Sequence, residues 1–340
     1  MRSTLFSLLL LFTLPFAGLS QAEDDIFEAN RLKKLFPDDR VAAVSVEEEY
    51  SFDRGKGSDR LPVVTATKNT GINFISLRES ASIQYFDFYN SFCKINSFKQ
   101  LEKMKGMFGI KKNYNVGFAI DRSASSSEIF SDDSRVKFFN IKFTGYADIT
   151  RVETEKKYFD SKYLTSVYFN SFFPTKEKII RIVVPDWLEL DIREFNFAGY
   201  KVTKQKAPEK NGMVYTFKIQ NLETMKNEDR APSAAYLFPH LVLIVRSFQN
   251  DGKKEKGFAD AGDLYNWYHY LYNKCNNKPE ELQAKVTELT RGKTTDVEKV
   301  KSIYYWVQDH IRYIAFEDGL AGFIPEIGRA SCRERVSLVV

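Results

Sequence analysis

Thr294 to Pro325 reads TTDVEKVKSIYYWVQDHIRYIAFEDGLAGFIP, and its apolar residues Val297, Val300, Tyr304, Val307, Ile311 and Ile314 recur at alternating steps of three and four. That spacing lays one apolar stripe along a helix of about five turns. Thr295-x-x-Glu298 is a capping box for its first turn, each side chain satisfying a backbone donor that the helix leaves unpaired. Beyond Ala315-Phe316 the helix gives way to a glycine-punctuated loop.

Upstream of this helix the same period continues. Leu264, Trp267, Tyr268 and Leu271 stand at i, i+3, i+4 and i+7, and Pro279 opens a further helix with Leu282, Val286 and Leu289 on one face. Gly292 suits the left-handed position after it. Before about residue 255 the period is two, and the chain reads mainly as short strands. They include Val41 to Phe52, Val63 to Thr67, Ile72 to Leu77, Ser82 to Phe88, Val136 to Thr144, Asp148 to Tyr158, Tyr163 to Phe172, Ile179 to Val184, Leu188 to Phe195, Tyr200 to Gln205 and Met213 to Gln220. Pro208 to Gly212 reads as a hairpin loop, and Leu241 to Val245 as a fully buried strand. Asp53 to Gly57 and Asn69 to Gly71 read as turns, Ile26 to Phe36 as a short helix ended by Pro37, Phe98 to Met107 as a second short helix and Ser123 to Ser134 as a polar loop. Many short strands followed by helices predict an α+β chain, with an antiparallel β-sandwich-like domain at the front.

The first 22 residues read as a secretory signal peptide. A basic Met1-Arg2, an apolar run from Leu5 to Phe16 and small residues at Ser20 and Ala22 give its three regions. The run is too short to span a bilayer, and no later stretch is long and apolar enough. An exported protein, periplasmic or extracellular after cleavage near Ala22, is expected. The chain is 15% aromatic and 43% hydrophobic, enough to bury a substantial core. A formal charge of +5 over 340 residues, with no dense basic stripe, argues against a nucleic-acid partner. Three cysteines are too few for a disulfide scaffold, although Cys93 and Cys275 are candidates to pair.

Few residues announce chemistry. His240, His269 and His310 stand without a Cys, Asp or second His at a ligand spacing and read as packing or surface residues. Trp187, Trp267 and Trp306 read as core anchors. Asp38-Asp39 and Asp132-Asp133 read as solvated turns, and Glu47-Glu48-Glu49 as an exposed strand edge. No phosphate-cradling loop, zinc signature or serine elbow is present, so no catalytic, cofactor or metal residue is assigned.

Lys299 to Pro325, KVKSIYYWVQDHIRYIAFEDGLAGFIP, resembles the opening of the transglutaminase-like domain in a family of exported bacterial proteins, where it follows a β-rich domain of unknown function. Glu228 to Ser233, Tyr236, Pro239 to Val242 and the Trp267-Tyr268 helix agree with that family. The resemblance implies residues 23–255 as the β-rich domain and 256–325 as the helical start of a papain/transglutaminase-like domain. It also implies acyl transfer from a glutamine-type or peptide amide through a Cys thioester, activated by His and oriented by Asp, with no cofactor and a protein or peptide substrate. The family's Gly-Asp-Cys-Lys-like segment does not follow Pro325. Instead residues 326–340 hold three Arg and no Lys, against 32 Lys and 15 Arg before them, and Glu326 to Val336 looks like a translated sequencing-library adapter. That tail is expected to be non-native. Cys332 lacks the family's flanking residues and has no downstream His to serve as base. Two readings follow: the front part of a secreted transglutaminase-like enzyme, inactive as written and without the Cys-His-Asp triad, or a non-catalytic envelope or binding module.

Overall fold

A computed structural model describes residues 16–310, apart from 58–59, 106–110, 125–133, 165, 227–229, 259 and 274–278. The chain begins with α1 (Phe16–Leu35), β1 (Val41–Lys56), β2 (Pro62–Ser76), β3 (Ser82–Tyr89), β4 (Cys93–Lys105), β5 (Lys111–Asn115) and β6 (Ile120–Ser123). Next come β7 (Arg135–Lys142), β8 (Ile149–Tyr158), a 3-10 turn at Ser161–Tyr163, β9 (Val167–Tyr168), β10 (Thr175–Pro185) and β11 (Leu188–Phe195). It continues through β12 (Thr203–Glu209), β13 (Gly212–Leu222), α2 (Ala234–Leu237), β14 (His240–Asn250) and β15 (Lys253–Lys256). Three helices follow, α3 (Ala261–Asn273), α4 (Pro279–Thr290) and α5 (Asp296–His310).

Eight strands form one large sheet in the order β12-β13-β10-β1-β2-β8-β4-β5. β1 is its long central strand, and its side chains alternate as a pleated strand requires: Val46, Glu48, Tyr50 and Phe52 are buried, while Glu47 and Glu49 face the other way. Two smaller sheets cover the Val46–Phe52 face, one ordered β11-β14-β15 with β9 paired to β14, the other β3-β7-β6. Under the first lies a core of Tyr50, Phe52, Phe169, Ile180, Ile182 and Leu241. Under the second lies a core of Val46, Ile72, Phe74, Phe139, Ile141 and Val152. On the opposite face α1 packs Ala29 and Leu32 against Ala42, Ile75 and Leu77.

This architecture corrects the expected fold class. The molecule is mostly β, built of several sheets, and a papain-like domain does not begin in its helices. The large sheet is mixed, because β1 and β10 run parallel, with Ala43 opposite Thr175 and Tyr50 opposite Ile182. None of the described residues of α3, α4 or α5 is buried, so these helices enclose no core. The apolar stripe on α5 is real as a period but faces solvent: Val297 is 76%, Val300 65% and Tyr304 57% exposed. α5 instead turns a neighbouring face to α4, where Ser302 Oγ donates to the Leu289 carbonyl at 2.8 Å and the Lys285 ammonium lies 5.3 Å from the Trp306 ring centre. Its capping box forms as read: the Glu298 amide donates to Thr295 Oγ1 at 3.3 Å and the Thr295 amide to Glu298 Oε2 at 3.1 Å.

Three local expectations also change. Residues 98–105 belong to strand β4, not to a helix, because pairing to β8 places Phe98 and Gln100 in register with Thr154 and Val152 on the covered face. Asn69 to Gly71 is no turn but the middle of β2, where the absent side chain of Gly71 makes room for the Arg151 guanidinium; a Cβ there would lie 2.6 Å from its Nη2. Asp53 to Lys56 extends β1 and pairs with residues 62–65 of β2.

Candidate functional site

Glu48 occupies the middle of β1, one pleat from Val46 in one core and one pleat from Tyr50 in the other. The two covering sheets therefore meet above it, and the residues at that seam are charged. Cross-strand pairing sets Lys68 of β2 opposite Tyr50, Lys156 of β8 opposite Lys68, and Lys178 of β10 opposite Val46. Lys178 Nζ donates to Glu48 Oε1 at 3.0 Å and to the Tyr168 carbonyl of β9 at 2.8 Å. Lys68 Nζ stands 3.1 Å from the same carboxylate oxygen, and Tyr50 Oη donates to Glu48 Oε2 at 2.9 Å. A second pair extends the row: Lys156 Nζ reaches Asp87 Oδ1 of β3 at 3.0 Å.

Burial opposes ionisation of Glu48, but the facing ammonium groups of Lys178 and Lys68 outweigh it and hold the carboxyl at about 2. Lys178 is pushed down, chiefly by burial, with Glu48 opposing and Lys68 adding to the effect. Lys68 is raised: burial works against its charge, yet Glu48 more than compensates. Lys156 is likewise raised by Asp87 against the effect of burial. Burial, reinforced by the Glu48 carboxylate, lifts the Tyr50 hydroxyl well above its usual range. Side chains of Lys178 and Glu48 are only 3% and 8% exposed, so no substrate reaches them. The arrangement fixes the alignment of β1, β2, β9 and β10 through one carboxylate, and it offers no open position for turnover.

The acidic run Glu47-Glu48-Glu49 is therefore no exposed edge. β1 is flanked on both sides, and the middle glutamate is the hub of the seam. Alternation within the run carried that signal: the residue between two outward glutamates must face inward, where only a cation makes it tolerable.

Other residues weighed from the sequence fall in separate places. His240 is buried between the rings of Phe195 and Tyr168, at 5.1 and 5.0 Å, with Nδ1 3.0 Å from the Phe238 carbonyl. His269 stacks with Tyr265 and Tyr272 along α3, and His310 on Trp306 in α5. Trp187 lies under the Arg54 guanidinium at 4.5 Å, and Trp267 packs on Phe258 and Tyr163. Cys93 is buried, with Sγ 3.5 Å from Asn90 Oδ1. Cys275, Cys332 and Asp132-Asp133 lie outside the described residues. Asp39 accepts from Thr224 Oγ1 at 3.3 Å, and burial raises its carboxyl. Among the described residues no group of three His, Cys, Asp or Glu converges as a metal site. A cleft of ≈ 180 Å³ between Val64, Leu164, Leu243 and Phe258 has its rim charges already paired, Lys162 with Asp160 at 2.9 Å and Lys256 with Asp263 at 2.7 Å.

Comparison with known proteins agrees with a β-rich module. Residues 116–226, from the approach to β6 through β13, match DUF3857, a domain of unknown function. No functionally curated protein matches the chain. A candidate protease from Parabacteroides distasonis superposes over 84% of this chain at a TM-score of 0.51 and 11% identity, which establishes likeness of fold. This chain spans about half of that protein, 53% of its length. An M1 zinc metallopeptidase from Deinococcus radiodurans (9% identity, 64% of this chain, 46% of that one, TM-score 0.30) is too dissimilar to inform function. So is a candidate nutrient-binding protein from Legionella pneumophila (8% identity, 81% of each chain, TM-score 0.32). Among the described residues no helix is long and apolar enough to cross a membrane.

Proposed function

We propose that this chain is the β-rich, non-catalytic front of a longer exported protein of the transglutaminase-like class, whose acyl-transfer chemistry belongs to residues beyond Pro325. The observation that carries the reading is the residue pattern of Lys299 to Pro325. Two further facts support it. The chain is similar in fold to part of a larger candidate protease, of which it spans 53%, and residues 116–226, ahead of Lys299, match DUF3857, a domain of unknown function. In this reading the seam-locked sheet is a rigid platform. The chemistry it accompanies is attack of a Cys thiolate on a glutamine-type or peptide amide, with the thioester passed to an amine or to water. No residue of this chain is assigned a step.

The test is the reading frame downstream of Pro325 at the source locus. Cys, then His, then Asp, in that order, is the expected result. A complete natural gene lacking them would overturn the enzyme and leave a binding or envelope module.

A further inference from the structure

On the face away from the seam, three cations border one open depression of ≈ 740 Å³: Lys33 in the last turns of α1, Arg40 just before β1, and Arg78 after β2. Asn30, Glu79 and Tyr146 complete its wall. The wall is held by local contacts. The Lys33 ammonium sits 5.4 Å from the Tyr146 ring centre, and Tyr146 Oη donates to Asn30 Oδ1 at 2.7 Å. Arg78 donates from one Nη to the Pro37 carbonyl at 2.6 Å, which fixes its guanidinium at the rim while its other N–H groups remain.

Some surface cations of this molecule stand in ion pairs: Arg135 with Asp121, Arg181 with Glu49 and Lys218 with Glu177. Among the described residues, no ion pair engages Lys33, Arg40 or Arg78. Three cations against the single Glu79 carboxylate leave two positive charges without a counter-charge. A carboxylate ligand would neutralise one of them, whereas a phosphate group carries about −1.5 to −2 at neutral pH and presents three acceptor oxygens to the arginine forks. We propose that this depression binds a phosphate-bearing ligand as its dianion, with Arg40 and Arg78 as hydrogen-bonding forks and Lys33 as a point charge. The phosphate comes either from a free small molecule or from the phosphomonoester headgroup of a lipid.

Both sources can be tested with the full chain. Inorganic pyrophosphate is titrated calorimetrically, and co-sedimentation is measured with phosphatidic acid vesicles, whose headgroup is a phosphomonoester, against phosphatidylcholine vesicles. The proposal expects saturable binding of pyrophosphate, preference for the anionic vesicles, or both; the arm that responds names the source. Affinity should fall with ionic strength and by roughly tenfold or more in Arg40→Glu. Lys33→Gln should weaken it by a smaller factor. Lys34→Gln removes an exposed charge of the same helical turn that does not line the depression, and it should leave binding unchanged. No binding in either arm, binding indifferent to Arg40→Glu, or equal loss from Lys34→Gln overturns the site. Identical circular dichroism and thermal midpoints across the variants keep a folding defect from passing as lost affinity.

Discussion

Glu48→Gln is the perturbation that the seam makes most informative. The substitution keeps the side chain's size and removes its charge, leaving Lys178 buried with the Tyr168 carbonyl as its remaining hydrogen-bond partner of the two seen here. The native carboxyl is held at about 2 rather than its ordinary 4.5. At about 1.4 kcal/mol per pH unit, that difference corresponds to about 3 kcal/mol of stability. Removing one partner of a buried pair typically costs about 3–5 kcal/mol, in agreement. The sign follows from proton binding. Between the two values the unfolded chain holds more protons than the folded one, so Glu48 stabilises fully above the unfolded value and ceases to as pH falls through about 2. Urea unfolding at neutral pH should therefore show Glu48→Gln destabilised by about 3 kcal/mol, with the gap closing as pH approaches 2. Other carboxylates held low by partners, such as Asp121 and Asp191, titrate in both proteins, so the difference between them isolates Glu48. The double variant Glu48→Gln/Lys178→Met should recover part of the loss, because Lys178 is then no longer a charge buried alone, while Lys68 still lacks the carboxylate that stands 3.1 Å from it in the native seam. A cost below about 1 kcal/mol, or a gap independent of pH, would refute the seam as a coupled ionic unit.

Other substitutions report on different parts of the fold. Phe74→Ala empties a fully buried site packed edge-on to Phe173 at 4.8 Å, and should lower unfolding free energy by about 3–5 kcal/mol in the same urea experiment. Gly257→Ala places a Cβ 2.1 Å from the Val245 carbonyl oxygen; the backbone there must shift, and the thermal midpoint should drop by several degrees. Thr295→Ala breaks the capping box of α5 and removes about 1 kcal/mol of local helix stability. Because α5 buries nothing, amide exchange should quicken at residues 297–300 while the global midpoint stays put.

Much of the β architecture is legible in the sequence, because half-buried strands advertise themselves by alternation. Leu188 to Phe195 and Leu241 to Val245 were read where β11 and β14 stand, and Pro208 to Gly212 where β12 turns into β13. α1 begins at Phe16, ahead of the expected Ile26, yet stops just before Pro37 as its ring requires. Long-range register was not legible. Whether Glu48 lies on an edge or in the centre depends on β10, which arrives after about 120 intervening residues and pairs in parallel. Nothing local to Glu47-Glu48-Glu49 encodes that partner. The α5 stripe fails for the complementary reason: period shows which residues share a face, but not whether anything covers it. The basic depression likewise gathers Lys33, Arg40 and Arg78 from three segments, a convergence that no sequence window displays.

The role proposed for this chain is to accompany an acyl-transfer site whose residues lie beyond Pro325. Its most direct measurement is a fluorogenic glutamine-donor assay, read for both amine incorporation and hydrolysis. It is run on the 340-residue chain and on a protein extended through the natural frame beyond Pro325. The account predicts no turnover by the chain alone, and turnover by the extended protein that is lost when its downstream cysteine is replaced by alanine. Turnover by the 340-residue chain that Cys332→Ala abolishes would contradict it.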